Sequence, residues 1–440
     1  MTRTLVIGGG VAGLVAARAA AIRGDEVTLI EADERLGGLV DQAVLGGVPI
    51  DMGAESIATR GTAIASLLGA VGLESAPVAP GGARLFLDGA VFPLPSASLL
   101  GIPGSPLADD VRRIIGTRAS LRAWADRIRP ELHIGRETNL GSLVRRRMGP
   151  TVLDDLVRPV VEGVYGVDPD DADVDALIPG LNTALTRAGS LSGAVLSLRS
   201  GAPAGAAVAG IAGGVGALVA ALADSLVAVG GEIRRSSPAL AIARAADRFE
   251  VAIPDGTLEA DRVVVATPGP VARRLLRETV PTGEWPRSRT SRAVAVMLDA
   301  PSLDQAPLGT GVLVARPSEG GPTALTHSSA KWPWLREILP PSRHVIRLSY
   351  RGDGPPVGVA KAVADAATLF GAPLQESAVV GSAEHTWVQD APRALLGVRA
   401  AAEEFERAVR EVDGLAVTGA WIAGTGIASI VPHAQAAGAA

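Results

Sequence analysis

Short apolar runs alternate with a helical pattern at the start of the chain. Residues 4–7 are apolar and β-branched, residues 14–22 follow a helical pattern with small residues on one face, and residues 26–30 form a second apolar run. A glycine-rich turn at residues 8–13 lies between the first run and the helical pattern. The pattern therefore predicts a βαβ unit that closes within about thirty residues.

A second group of apolar runs occupies the middle and the end of the chain. Residues 215–229 follow a helical pattern, and residues 232–267 hold several strand-like runs separated by turn residues. The last run, LAVTGA at residues 415–420, leads into a glycine-rich turn and the start of a helix. Arginine-rich helical patterns at about 105–200 and mixed patterns at about 276–400 separate these blocks. The order predicts one α/β domain assembled from three separated pieces, with two insertions.

The glycine-rich turn carries the first chemical signal. Gly8, Gly10 and Gly13 form a G-x-G-x-x-G motif between a predicted strand and a predicted helix, and Glu31 ends the next strand. In this context Gly8 permits a tight turn, Gly10 lets a pyrophosphate approach the backbone, and Gly13 allows close helix–strand packing. The helix N-terminus would offer free N–H groups to phosphates, and Glu31 would accept hydrogen bonds from a ribose diol.

Two later segments resemble a known pattern. Residues 31–38, EADERLGG, and residues 51–56, DMGAES, are similar to the E-x-x-x-R-x-G-G and D-x-G-A motifs of glutathione-reductase-type flavoproteins. The similarity is to the branch that holds amine oxidases, phytoene desaturases and protoporphyrinogen oxidases. It implies a non-covalent FAD, with Arg35 and the backbone of Gly37 and Gly38 near its diphosphate and ribityl chain.

Motifs in the rest of the chain narrow the resemblance. Residues 158–169, RPVVEGVYGVDP, look like the GVYAGDP-type segment of protoporphyrinogen oxidases, and residues 387–392, WVQDAP, resemble a Trp–Pro segment of the branch. Residues 414–427, GLAVTGAWIAGTGI, resemble its closing FAD motif, with Ala420 where relatives often carry an acid or amide. The chain is identified as a member of the protoporphyrinogen/coproporphyrinogen oxidase family, most like the actinobacterial, coproporphyrinogen-oxidising form.

The resemblance implies a fold class and its division along the chain. The fold is expected to be α/β, with a discontinuous glutathione-reductase-type FAD-binding Rossmann domain, an α+β substrate domain and a helical insertion. The expected ranges are 1–80, 205–275 and 405–440 for the FAD-binding domain, 81–204 for the insertion and 276–404 for the substrate domain.

The resemblance also assigns residues to the site. Those expected at the FAD are Gly8, Gly10, Val11, Ala12, Gly13, Glu31, Ala32, Arg35, Gly37, Gly38, Gly53, Ala54, Glu55, Ala239, Ala266, Trp387, Gly419, Gly426, Ile427 and Ala428. Arg84 and Tyr165 are expected at the substrate, with Arg84 as a propionate contact. No side chain is expected to be catalytic, because flavin N5 does the chemistry.

The activity implied by the resemblance is the oxidation of coproporphyrinogen III to coproporphyrin III in heme biosynthesis. Three hydride transfers from methylene bridges to flavin N5 would remove six electrons, and dioxygen would reoxidise the flavin and give hydrogen peroxide. The product would pass to a ferrochelatase. Coproporphyrinogen is favoured because residues 81–150 carry a surplus of arginine, and guanidinium groups bind carboxylates well.

The composition of the chain excludes some cofactors and gives no sign of several classes of partner. The chain has no cysteine, which excludes disulfides and a cysteine-bound flavin, and its five histidines show no metal-ligand spacing. A net charge of −5 gives no reason to expect nucleic acid. The uncharged run at residues 200–223 is interpreted as loop and buried helix, because glycine and alanine dominate it. The start shows no signal-peptide pattern, so a cytoplasmic protein is expected, and weak membrane association stays open.

Three alternatives remain open from the sequence. The first is protoporphyrinogen IX as the substrate. The second is an amine oxidase or carotenoid desaturase on the same scaffold, although an amine oxidase needs an aromatic cage and an N5 lysine, and the chain has two tyrosines and two lysines. The third is a flavin- or porphyrin-binding protein without turnover.

Overall fold

The apolar runs of the sequence form the strands of several sheets. The structure is a computed structural model that describes residues 1–59, 61–128, 135–199, 208–245, 247–352 and 354–440. The strands in these ranges are β1 (Arg3–Ile7), β2 (Glu26–Ile30), β3 (Gln42–Leu45), β4 (Val48–Asp51), β5 (Ile57–Ala58), β6 (Ser75–Ala76), β7 (Ala83–Leu87), β8 (Ala90–Pro93), β9 (Ser98–Leu99), β10 (Ile102–Pro103), β11 (Val208–Ile211), β12 (Glu232–Arg234), β13 (Ala241–Ala245), β14 (Arg248–Ile253), β15 (Gly256–Ala260), β16 (Arg262–Val265), β17 (Arg289–Asp299), β18 (Gly311–Val314), β19 (Ala324–His327), β20 (Arg343–Arg351), β21 (Val379–Gln389) and β22 (Leu415–Val417). The α-helices in the same ranges are α1 (Val11–Arg23), α2 (Ala63–Ala70), α3 (Asp109–Trp124), α4 (Leu140–Met148), α5 (Pro150–Val152), α6 (Arg158–Tyr165), α7 (Val174–Leu177), α8 (Leu181–Ala188), α9 (Leu191–Leu198), α10 (Gly216–Ala228), α11 (Gly269–Leu276), α12 (Ser328–Lys331), α13 (Pro333–Ile338), α14 (Val359–Phe370), α15 (Val398–Arg410), α16 (Ala420–Ala423) and α17 (Ile427–Ala439).

One sheet is parallel throughout and has the strand order β12-β2-β1-β16-β22. The predicted βαβ unit is confirmed, since β1 and β2 pair in parallel and α1 connects them. Helix α1 begins at Val11, earlier than the predicted residue 14, because it starts directly at the glycine turn. The carboxyl ends of these strands lie at one edge of the sheet, which is where open α/β sheets bind ligands.

Apolar side chains cover both faces of the parallel sheet. Val6 faces a core formed with α1, α10 and α17, and Leu5 faces a second core formed with α11, α15 and the strands β13-β14-β15. Helices α1 and α17 cross closely, since a Cβ at Gly438 would lie 2.1 Å from the carbonyl oxygen of Ala16. Each fully buried leucine in these cores, such as Leu14, stabilises the fold by about 1.5–3 kcal/mol.

The uncharged run at residues 200–223 departs in part from its prediction. Residues 200–207 lie outside the described residues, and residues 208–211 form β11, which pairs with β5 and β6. The expectation of loop at residues 208–211 is wrong, because partner strands there complete the backbone hydrogen bonds. The predicted helix is confirmed as α10. Among the helices of the described ranges, none is long and apolar enough to cross a membrane.

A second, mixed sheet has the strand order β21-β17-β20-β19-β18-β7-β8. Strands β7 and β8 come from residues 81–204, so this range supplies strands to the mixed sheet as well as helices α3 to α9. One face of the sheet packs against α14, with Leu348 and Phe370 in that core. The other face packs against the β3-β4 hairpin and the helices of residues 81–204.

A chain of polar groups runs through the core beneath α14. His327 is fully buried, and its Nε2 lies 3.0 Å from Nδ1 of His344. Nε2 of His344 lies 3.0 Å from the carboxylate of Asp304. Burial and the neighbouring His344 lower the pKa of His327 to about 3, and burial also lowers the pKa of His344. The His327 ring is therefore neutral at neutral pH.

We expect the free energy of unfolding to fall as the pH drops below the ordinary histidine pKa of 6.5. The unfolded chain protonates His327 near pH 6.5, whereas the folded chain keeps the ring neutral down to about pH 3. The neutral His327 ring therefore contributes its full stabilisation above about pH 6.5. Below that pH the free energy of unfolding falls by up to about 1.4 kcal/mol per pH unit. Urea titrations at about pH 7 and 5 measure the free energy of unfolding at each pH. Its decrease between the two pH values should be smaller for His327→Gln than for the parent. Equal slopes would contradict this explanation.

Candidate functional site

The glycine turn after β1 brings three backbone segments into contact. Gly8 has a φ of 112°, and a Cβ at this position would lie 2.8 Å from the carbonyl oxygen of Ala266, which follows β16. A Cβ at Gly13 would lie 1.8 Å from the carbonyl oxygen of Gly8. Neither position can hold a side chain without moving the backbone, so both glycines are required by the packing of α1 on the sheet.

The N-terminus of α1 is open toward the carboxyl edge of the parallel sheet. Gly10 is the N-cap and provides no side-chain hydrogen bond, while Val11 and Ala12 are buried. The first N–H groups of a helix have no partner inside the helix, so they need an oxygen from elsewhere. Together with the helix dipole, these free donors make a site suited to phosphate.

Glu31 closes the glycine turn at the end of β2. Its carboxylate accepts hydrogen bonds from the N–H of Gly9 at 2.5 Å and from the N–H of Asp33 at 3.0 Å. Ala32 beside it is exposed. Because an ionised carboxylate can accept about four hydrogen bonds, Glu31 keeps capacity for ribose hydroxyls while it holds the turn.

The loop after β2 folds back against the glycine turn. The N–H of Gly37 donates to the carbonyl oxygen of Gly9 at 2.9 Å, and Gly10 and Gly37 form an isolated bridge. Arg35 lies 3.3 Å from Asp41 and donates to carbonyl oxygens of its own loop at 3.0–3.2 Å, those of Leu36, Gly38 and Val40. Arg35 therefore braces the loop that presents Gly37 and Gly38 to the turn.

Gly53 and Trp387 meet next to this loop. A Cβ at Gly53 would lie 2.1 Å from the carbonyl oxygen of Leu39 and 3.7 Å from the Trp387 ring. Trp387 is 8% exposed, and His385 stacks on it with ring centres 4.3 Å apart. The buried indole N–H of Trp387 has no hydrogen-bond partner among the described residues. Because an unpaired buried donor is costly, this N–H indicates a ligand acceptor at this position.

The end of the chain reaches the same edge of the sheet. Gly419 follows β22 with a φ of 131°, and Gly426 is the N-cap of α17 without a side-chain hydrogen bond. Ile427 is buried in the core that contains Val11 and Ala12, and that core also contacts several partly buried alanines, among them Ala54, Ala266 and Ala428. The structure therefore brings together predicted residues from the start and the end of the chain.

Ala239 is buried with Ile7 and Ile30 on the other face of the parallel sheet, two residues after Ser237, whose N–H donates to the carbonyl oxygen of Glu31 at 2.8 Å. Arg84 and Tyr165 lie apart from this group. Arg84 pairs in register with Val312, which places it on the face of the mixed sheet that packs against α14. Tyr165 ends α6 and packs against the core of the helical region. The buried Nε of Arg84 has no hydrogen-bond partner among the described residues.

Glu55 lies in a buried ion cluster with two residues that were not predicted. One carboxylate oxygen accepts a hydrogen bond from Nζ of Lys331, and the other lies 3.3 Å from the guanidinium of Arg347. Burial alone would raise the pKa of Glu55, but Arg347 and Lys331 outweigh burial and hold the pKa below its usual value. The one available signal was that Lys331 is one of only two lysines in an arginine-rich chain.

The arrangement fits a dinucleotide cofactor. An open helix N-terminus suits a diphosphate, an acid after the second strand suits a ribose, and the unpartnered indole donor of Trp387 suits a polar ring edge. Fold and site thus define a mixed helix–strand oxidoreductase of the dinucleotide-binding kind. The chain belongs to the family of flavin-containing amine oxidoreductases. The sequence model of that family matches residues 11–439. It is therefore an FAD-dependent oxidoreductase, as predicted.

Relatives of known name cover nearly the whole chain. Coproporphyrinogen III oxidase of Mycobacterium tuberculosis is 29% identical over 450 residues, covering 97% of this chain and 94% of the relative. Coproporphyrinogen III oxidase of Mycobacterium leprae is 31% identical over 392 residues, covering 83% of this chain and 82% of the relative. The crystal structure of a protein described as a putative protoporphyrinogen oxidase from Exiguobacterium sp. 255-15 matches with a TM-score of 0.83 at 23% identity, over 100% of this chain and 97% of that one. The last similarity confirms the mixed helix–strand fold.

We expect Glu31→Ala to weaken FAD binding by about 1.5–3 kcal/mol, because it removes charged hydrogen bonds to the ribose and to the turn. FAD titration of apoprotein by fluorescence quenching measures the change in Kd. Glu34→Ala is the matched control, since Glu34 is exposed in the same loop. An unchanged Kd in Glu31→Ala would remove Glu31 from the cofactor site.

Proposed function

We propose that the protein oxidises coproporphyrinogen III to coproporphyrin III, using dioxygen as the final electron acceptor and forming hydrogen peroxide. The observation that carries this proposal is the near full-length similarity to coproporphyrinogen III oxidases, 97% of this chain and 94% of the mycobacterial relative. A protoporphyrinogen oxidase of Arabidopsis thaliana matches over 41% of this chain, which supports the tetrapyrrole class more generally.

We also propose the division of the chain. Residues 1–80, 205–275 and 405–440 form a glutathione-reductase-type FAD-binding domain around the parallel sheet, because that sheet takes its strands from these ranges. Residues 276–404, extended by β7 and β8, form the substrate sheet, and the helices of residues 81–204 complete the substrate side. The turn at residues 8–13 and Trp387 would hold the FAD at the carboxyl edge.

Bound FAD supplies the two-electron acceptor, and the chain's own groups hold the macrocycle and exclude competing reactions. Three rounds would remove three hydrides from methylene bridges and three protons, two from pyrrole nitrogens and one from the fourth bridge. The nitrogen lone pair assists departure of the hydride, so no strong protein base is required. The main demand on the protein is therefore geometric.

The face of the mixed sheet that carries Arg347 is the proposed place of the macrocycle. Ser349 lies two residues from Arg347 on the same face, and cross-strand register places Ala293 and Ala324 on either side of it. Trp387 borders the same face, beside Gly53. We place the macrocycle against this row of small side chains.

Tyr350 argues against an amine oxidase on this scaffold. Its hydroxyl donates to Asp365 at 2.9 Å, and its ring packs in the core beneath α14, on the face opposite to Arg347. Burial raises its pKa, so it stays a neutral hydrogen-bond donor. One of the two tyrosines is thereby removed from an aromatic cage next to the cofactor.

We expect coproporphyrinogen III to be oxidised with a higher kcat/KM than protoporphyrinogen IX, because four carboxylates can engage more guanidinium groups than two. Product fluorescence gives initial rates for both substrates, with hydrogen peroxide measured in parallel. Putrescine and lycopene precursors serve as controls for the amine oxidase and desaturase alternatives. A higher kcat/KM for protoporphyrinogen would reverse the proposed preference, and turnover of an amine would overturn the tetrapyrrole class.

The resemblance implies that Arg84 contacts a propionate, but its register with Val312 places it on the face toward α14, opposite to the proposed macrocycle face. We therefore expect Arg84→Ala to leave the KM and kcat for coproporphyrinogen close to the parent values and to lower the free energy of unfolding, because the partly buried side chain packs through its apolar stem. Initial rates by product fluorescence and urea titrations measure the two effects. A KM raised several-fold with unchanged kcat would instead place Arg84 at the substrate.

A further inference from the structure

A buried ion cluster joins the loop between β4 and β5 to the mixed sheet. Its members are Glu55 from the loop after β4, Lys331 at the end of α12 and Arg347 from β20. The side chains are 7%, 16% and 12% exposed in that order. Nothing in the proposed oxidation uses these charges, yet burying them is expensive unless they serve each other or a ligand.

Arg347 also fixes the backbone of the loop. Its guanidinium donates to the carbonyl oxygens of Asp51, Met52 and Gly53, at 3.3, 3.1 and 2.6 Å. The side chain of Asp51 anchors the same loop from the other side, because it accepts hydrogen bonds from the N–H groups of Val215 at 2.8 Å and Gly216 at 3.2 Å. The loop is thus held between the mixed sheet and the N-terminus of α10, with Gly53 against Leu39 and Trp387.

The cluster places two positive side chains against the Glu55 carboxylate. Lys331 and Arg347 face one carboxylate, Glu55, whose pKa they hold below its usual value despite its burial. The Asp51 carboxylate is turned to the N-terminal N–H groups of α10 and to Gln42 at 2.9 Å. The buried Nε of Arg347 has no partner among the described residues, so the guanidinium keeps donor capacity next to Gly53.

We infer that Lys331 and Arg347 are positioning residues for the FAD and that their positive charges favour the reduced cofactor, whereas the Glu55 carboxylate opposes it. Arg347 sets the position of residues 51–53 through its carbonyl contacts, and the cluster sets the local potential. This inference rests on the proposed location of FAD beside Gly53 and Trp387. It does not depend on which substrate is oxidised.

The experiment measures the midpoint potential of bound FAD and its Kd in charge variants of the holoenzyme. Lys331→Met removes a positive charge, so the midpoint potential should become more negative. Glu55→Gln removes the negative charge, so the potential should become more positive. The double variant should return toward the parent. A merely structural role would loosen the site in both single variants and would not produce shifts of opposite sign.

Arg347→Lys separates position from charge. It keeps the charge but has a single nitrogen, whereas Arg347 uses Nη1 for the carbonyl oxygens and Nη2 for Glu55, so FAD binding should weaken several-fold while the potential stays near that of the parent. Lys361→Met is the matched control because Lys361 is the other lysine of the chain and pairs with Asp365 on the exposed side of α14. It should leave both quantities unchanged.

Either shifts of the same sign or unchanged potentials in Lys331→Met and Glu55→Gln would overturn the inference. If Lys331→Met does not fold, Glu55→Gln and Lys331→Arg decide the question, since the second should restore the parent potential. Failure of the proposed function is seen separately, because a parent protein that binds FAD but oxidises no porphyrinogen would leave the potential measurements intact.

Discussion

Close backbone packing at the turn after β1 is the constraint on which the rest of the structure depends. The carbonyl oxygen of Gly8 lies where a Cβ of Gly13 would be, and the carbonyl oxygen of Ala266 blocks a Cβ at Gly8. Interiors are packed to crystal density, so even one methyl group would push α1 away from the parallel sheet. With both positions glycine, the N-terminus of α1 comes to the carboxyl edge of the sheet, and the loop at residues 37–40 can rest on it through backbone contacts.

The mixed sheet is connected to this edge by charge. Arg347 reaches the carbonyl oxygens of residues 51–53, and Glu55 lies between Arg347 and Lys331. Such a cluster loses hydration when it is buried, and the loss is offset only when each group meets good partners. Directional contacts fix the orientation of a loop more narrowly than apolar packing does, which suits a loop that borders a cofactor.

Membership of the flavin-containing amine oxidoreductases agrees with a parallel sheet whose glycine turn and helix N-terminus suit a flavin dinucleotide. In this chain Tyr350 is turned toward α14, and small residues line the face that carries Arg347. The polar histidine chain beneath α14 lies on the other side of the sheet and bears on stability.

Local sequence patterns were sufficient to predict the strands of the parallel sheet and many of the residues at its carboxyl edge. Apolar periodicity and turn glycines act between neighbours in the chain, so β1, β2 and α10 and the positions of Gly8, Gly13 and Glu31 could be predicted from sequence alone. Contacts between side chains that are far apart in the chain could not be predicted from sequence alone. Lys331 meets Glu55 across a separation of 276 residues, β11 forms where β5 and β6 provide partners, and the face on which Arg84 lies depends on its register with β18. Strand register and the direction of each side chain arise only when the sheets assemble, and no local pattern encodes them.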